Sequence, residues 1–166
     1  MPSDAFSTAS CGFSLTPEAA AHVEQAARVY SDGAAAEKEL LAAIAASPDC
    51  LGAYFSLYKF YFYQYRLGEA VRAARMAMDI AARQGGFDAD WHRLTPASSD
   101  WAKVDSPAHF YLFTLKALAF MHLRLDKGDE AMAMLAKLFE LDPQDSVGAS
   151  VIRDLAGSVE TAPAAA

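Results

Sequence analysis

Apolar residues recur along this chain at helical spacing, every three to four positions, and no stretch alternates strictly enough to make a convincing strand. The punctuation between these stretches is equally regular. LTPEAAAHVEQAARVY opens on Thr16 as an N-cap with Pro17 in the first turn. Gly33 marks the turn before AAAEKELLAAIAA, and SPDC (47–50) closes that helix and opens the next. CLGAYFSLYKFYFYQYR is a third helix and GEAVRAARMAMDIAARQGG a fourth, with Gly85 and Gly86 suited to a left-handed C-terminal cap. SPAHFYLFTLKALAFMHLRL starts on Ser106 and Pro107, again cap and first turn, and DEAMAMLAKLFEL follows Gly128. Over 144–158, Val147, Val151, Ile152 and Leu155 share one face and predict a terminal amphipathic helix. The expected fold class is all-α.

One helix stands out. Residues 54–66 read YFSLYKFYFYQYR, and eight of the thirteen are Tyr or Phe, more than a single buried face requires. At about 100° per residue, Tyr54, Leu57, Tyr58, Tyr61 and Tyr65 form one packing stripe. Phe55 and Phe62 flank Lys59 beside it, and Phe60 and Tyr63 lie farther round. A central helix, packed on its own partner and on both neighbours, accounts for the surplus. Lys59 and Arg66 interrupt the run, which falls short of the ~20 apolar residues of a membrane span.

Three units repeat. AAAEKELLAAIAASP, EAVRAARMAMDIA and EAMAMLAKLFELDP align on Ala36, Ala70 and Ala131. The first two are 34 residues apart (70 − 36) and the next gap is 61 (131 − 70), which is 34 plus 27. A helix–turn–helix repeat of that period resembles the tetratricopeptide family. In the second unit Tyr54, Leu57 and Tyr61 match the family's first aromatic, Leu and final Tyr, with Tyr58 in place of its Gly. Ala70, Ala74 and Ala77 fall where the second helix packs closely on the first. The third unit offers Leu115, Leu118, Ala119 and His122, then Ala131, Leu135, Leu138 and Pro143. The first, with Glu24 among its departures, offers Ala20, Val23 and Ala27, then Ala36, Leu40, Ala43 and Pro48.

The resemblance implies one right-handed superhelical domain over 16–158, with units at about 16–48, 49–84 and 107–143 and a capping helix at 144–158. Residues 85–106 would be an insertion before the third unit, 1–15 a flexible N-terminus and 159–166 a disordered tail. The insertion carries both tryptophans, Trp91 and Trp101, either plugging a gap between splayed units or helping to close a binding surface. Proteins of this family bind partners in a concave groove. By resemblance it would be lined here by Phe55, Lys59, Phe62 and Tyr63, by Phe113, Lys116, Phe120, Leu123 and Arg124, and by Ala21, Gln25 and Arg28. Such a lining suits a protein or peptide partner with apolar anchors and acidic groups, and Lys59, Lys116 and Arg124 would select the acidic ones. The family's carboxylate clamp is absent, because its places hold Ala21, Gln25, Ser56, Phe113 and Ala117. The other outcome is a filled groove, or a homodimer that buries the aromatics between subunits. The length also resembles the three-repeat chaperones of type III secretion, whose repeats are contiguous. YKFYFY and the insertion resemble small tetratricopeptide proteins of nitrogen-fixing bacteria, which would imply an accessory role in nitrogenase assembly or protection.

Composition narrows the classes. Of 166 residues 54% are hydrophobic, enough for one domain with a core. A net charge of −7 argues against a nucleic-acid partner. The first residues lack a basic n-region and an apolar run, so the expected location is cytoplasmic, without membrane association. Cys11 and Cys50 have no metal-type spacing. Asp88, Asp90 and His92 cluster in DADWH, but the spacing matches a capped loop better than a metal site. His22 and His122 fall within helices, and no phosphate loop, HExxH or nucleophile elbow occurs. No enzyme activity and no cofactor is expected.

Overall fold

The computed structural model describes residues 13–160, and all regular structure among them is helical. The order is α1 (Pro17–Arg28), α2 (Gly33–Ala46), α3 (Leu51–Tyr63), α4 (Leu67–Gly85), a 3-10 turn (Trp91–Arg93), α5 (Pro107–Arg124), α6 (Gly128–Leu141) and α7 (Ala149–Glu160). Residues 1–12 and 161–166, with Cys11 and most of the expected terminal segments, lie outside the described residues. Phe13 already sits edge-on to Phe110, with ring centroids 4.6 Å apart.

The caps fall where their residues require. The Thr16 and Ser106 hydroxyls accept from the amides of Ala19 and His109 at 3.2 and 3.1 Å, ahead of Pro17 and Pro107. Gly86, at φ 71°, ends α4 in the left-handed region, and a Cβ on Gly85 would meet the Phe87 ring at 2.3 Å. The terminal helix begins at Ala149 rather than at 144. Gly148 is left-handed at φ 73°, and Asp142 and Asp145 instead accept from the amides of Val147 and Ser150. Of the expected face Val147 and Ile152 are buried but Val151 and Leu155 are exposed, and Ala149 and Ala156 are buried in their place.

Each helix packs antiparallel to the next across a short turn, or through the 86–106 segment between α4 and α5. Close approach rests on alanine. Ala36 and Ala43 on α2 have no exposed surface, nor do Ala70, Ala74, Ala77 and Ala81 on α4. In the 86–106 segment Leu94 and Trp101 are buried, and Phe87 lies 5.1 Å from Trp101 and 5.2 Å from Tyr111. The segment is tied down by Trp101 Nε1 to Thr95 O at 3.0 Å and by Lys137 Nζ to Leu94 O at 2.8 Å.

A polar cluster joins α2 to the α3–α4 turn. Arg66 forks onto Glu37 at 2.6 and 3.2 Å, and the Tyr61 hydroxyl donates to the same carboxylate at 2.8 Å. The guanidinium holds the Glu37 carboxyl below the usual carboxylate range. Burial, then the bond to Glu37, pushes the Tyr61 phenol up to about 12. Because the folded pKa of Glu37 is depressed, its contribution is full above the unfolded value of about 4.3 and is lost as pH falls through the folded one. Melting followed by circular dichroism from about pH 6 to about pH 2.5 is expected to show a falling acid limb that Glu37→Gln flattens. A limb unchanged by the substitution refutes this.

Tyr65 lies beyond the end of α3. It is 80% exposed and left-handed at φ 59°, outside the stripe it was expected to join, because α3 has already ended at Tyr63. A bulky residue is strained there and its ring makes little contact. Tyr65→Gly is therefore expected to raise stability by about 0.5–1 kcal/mol in chemical denaturation.

Candidate functional site

The aromatic surplus of α3 divides three ways. Tyr54, Leu57, Tyr58 and Tyr61 are buried, as the stripe predicts. Phe60 is also fully buried, edge-on to Tyr30, rather than turned away from the packing. Phe55, Phe62 and Tyr63 lie on the side toward α5. Phe55 lies 5.8 Å from Phe113 and Phe62 lies 5.5 Å from Phe120, ring centre to ring centre. The pairs repeat seven residues apart on both helices, so two ring contacts close the floor between helices that otherwise touch little.

Above these pairs lies an open hollow of about 200 Å³, lined by Phe55, Tyr58, Lys59, Phe62, Tyr63, Phe113, Ala117, Phe120 and Met121. Phe55 is 4% exposed and serves chiefly as floor, whereas Tyr63 is 52% exposed. A second hollow of about 460 Å³ adjoins it through Phe120 and is bounded by Leu123, Arg124, Met132 and Leu155 among others. The first lies between α3 and α5 and the second between α5, α6 and α7, with Phe120 lining both.

Three cations were expected there, and they fare differently. Lys59 Nζ stands 5.3 Å from the Phe55 ring centre and the Arg124 guanidinium 6.0 Å from that of Phe62. Lys116 turns inward. Its ammonium donates to Val147 O at 2.6 Å and sits 4.5 Å from the Phe113 ring centre. Burial lowers its pKa. The expected role of Lys116 in selecting acidic groups is therefore corrected to an internal one: it holds the turn that precedes α7. Neither tryptophan lines the groove. Trp101 is buried against Phe87, and Trp91 stacks on His92 at 3.6 Å in a separate hollow with Arg75, Met78 and Leu118. Asp90 caps the 3-10 turn, accepting from His92 N at 3.1 Å, and pairs with His92 Nδ1 at 2.7 Å. The sequence reading missed Ala117 and Met121 in the first hollow, although both follow Phe113 and Phe120 on one face of α5. It also missed Met132 and Leu155, which reach the second hollow only through tertiary packing.

No helix among the described residues is long and apolar enough to cross a membrane. The chain is 34% identical over 143 residues to an "Uncharacterized 19.8 kDa protein in nifW 5'region" of Azotobacter chroococcum mcd 1. The match covers 85% of this chain and 79% of that protein, and this chain belongs to its family. No family model and no solved structure matches the chain.

Lys116→Met keeps the aliphatic stem on Phe113 but strands the Val147 carbonyl. It is expected to cost about 1–2 kcal/mol and to speed amide exchange selectively in 147–152. Exchange that rises equally across all helices argues against this local role.

Proposed function

We propose that the chain is a non-catalytic protein-interaction module of tetratricopeptide type, holding a segment of another protein in the groove between α3 and α5. The observation that carries this reading is the groove itself, in which rings from two separate helices line an open, almost wholly apolar hollow. Concave, largely apolar hollows with a few polar groups at their rim are common places for a partner to dock.

The repeat assignment draws support from the turns. Tyr65 and Asp126 are both left-handed at φ 59°, each just after the first helix of a pair, and they are 61 residues apart (126 − 65). This equals the offset between Ala70 and Ala131, both fully buried. The same backbone bonds recur there: Arg66 N donates to Tyr61 O and Lys127 N to His122 O, each at 2.9 Å. An accessory role in nitrogen fixation rests on the relative, whose printed name places it in the nifW 5' region.

A photo-crosslinking phenylalanine at Tyr63, in the groove, and at Met76, exposed on α4 outside it, tests the reading in cells grown under nitrogen-fixing conditions. A heterologous crosslink from position 63 that is absent from 76, and is lost in Phe62→Ala with Phe120→Ala, is the expected result. Each anchoring ring at such a site is worth about 2 kcal/mol. A crosslink only to a second copy of the chain would replace an adaptor by a homodimer, and identical products from both positions would refute the groove.

A further inference from the structure

Beyond that reading, and independently of it, we infer that two copies of this chain associate about a two-fold axis at the second hollow, the one bounded by α5, α6 and α7. The first ground is where exposed apolar surface collects. Met132 and Leu155 line this hollow and are both exposed. Leu125 follows Arg124 in the chain, and Val151 precedes Leu155 by one turn of α7; both are exposed as well. Among the described residues nine large apolar side chains are exposed, and four of them belong to this corner, so the exposure is concentrated rather than scattered.

The second ground is charge, and it selects the occupant. The α5–α6 turn reads RLDKGDE (124–130). Arg124 and Asp126 both line the hollow. Among the described residues neither makes an ion pair, and nor do Lys127 and Asp129 beside them, whereas Glu130 is taken by His122 Nε2 at 3.1 Å. Arg124 stands 6.0 Å from the Phe62 ring centre, a contact that uses none of its five N–H donors. The four unpaired charges therefore run positive, negative, positive, negative along the turn. A two-fold axis reverses the direction of the second copy, and opposite signs then meet. Arg124 faces Asp126 of the second copy, and Asp126 faces Arg124 of the second copy. A partner of uniform charge, acidic or basic, would satisfy one of these side chains and repel the other.

The third ground is rigidity. Leu125 N donates to Met121 O at 3.0 Å, Asp126 N to Leu123 O at 3.2 Å and Lys127 N to His122 O at 2.9 Å, so the turn that carries these charges is fixed before any contact forms. Little ordering cost attends association through such a turn. Exposed ion pairs contribute little affinity by themselves. The apolar side chains of the corner supply the attraction, and the paired charges set the register.

The test is sedimentation velocity of the full chain from about 1 to about 200 μM, where a concentration-dependent monomer–dimer equilibrium is expected. Arg124→Glu sets carboxylates against carboxylates, and Asp126→Lys sets cations against cations. Each should weaken self-association at least about tenfold. Mixed in equal amounts, the two variants should form a heterodimer at concentrations where each alone is monomeric, because every charge at positions 124 and 126 then meets its opposite. Loss of folding cannot produce that gain. Asp126 is left-handed at φ 59°, which disfavours lysine, so Asp126→Asn, suited to that backbone, supplies a further arm. Arg124→Glu should associate with it more strongly than with itself. The inference is overturned if the chain stays monomeric throughout, if Arg124→Glu dimerises as well as the unaltered chain, or if the mixtures contain only the species each variant forms alone. Position 63 lies in the first hollow, so its crosslink still tests the adaptor reading after any of these failures.

Discussion

A helix that packs against two others lets both come closest where its side chains are smallest. In this chain α4 meets the condition: its buried positions are Ala70, Ala73, Ala74, Ala77, Ala81 and Ala82, with Met78 the one large side chain among them. On these alanines α3 and α5 both find their main packing partner. A larger residue at Ala74 or Ala77 would have no void to enter and would force the pair apart. The groove follows from this arrangement. Because α3 and α5 each pack chiefly on α4, they diverge on the other side, and the space between them is bridged by Phe55–Phe113 and Phe62–Phe120. Phe55 is buried there, and Phe62, Phe113 and Phe120 stay partly buried.

The same geometry sorts the charges. A carboxylate over a ring face would meet its negative quadrupole, whereas a cation is attracted to it, and the cations of α3 and α5 all take up such positions. Lys116 goes further by giving its ammonium to the Val147 carbonyl, which fixes the turn before α7. Through α7, Leu155 then helps to line the second hollow. One lysine thus couples the floor of the first hollow to a wall of the second. The strongest carboxylate pairing near α3 lies elsewhere, where Glu37 meets Arg66 and Tyr61 and secures α2.

What was legible in the sequence was local. Thr16–Pro17, Ser106–Pro107 and Gly86 mark helix ends because caps depend on a few neighbouring residues, and Ala36, Ala70 and Ala131 mark close packing because only small side chains permit it. Less legible was which ring faces where. Tyr65 leaves its stripe because the backbone turns left-handed, and Phe60 is covered because Tyr30 reaches it from the α1–α2 connection. Lys116 cannot be distinguished from Lys59 by spacing alone, because what separates them is a carbonyl 31 residues away. The expectation that Phe62, Phe113 and Phe120 share a groove comes from the tetratricopeptide resemblance, whereas Met132 and Leu155 join through contacts that no local pattern contains.

The segment between α4 and α5 packs away from the hollow between α3 and α5. Leu94 and Trp101 are buried, Phe87 and Tyr111 pack with Trp101, and Lys137 on α6 bonds the Leu94 carbonyl, so the segment's apolar residues seal the edge where α4, α5 and α6 meet. Aromatic residues that might have folded over the rings of α3 are consumed in that seal. Trp91, the less buried of the two tryptophans, is occupied by His92 and by α4 residues around Arg75 rather than by Phe62 or Phe120. The segment therefore stabilises the side of α5 that meets α4 and takes no part in the hollow on the side that meets α3. On the reading proposed above, such a scaffold defines a shape, and any specificity lies in the few side chains that line the hollow.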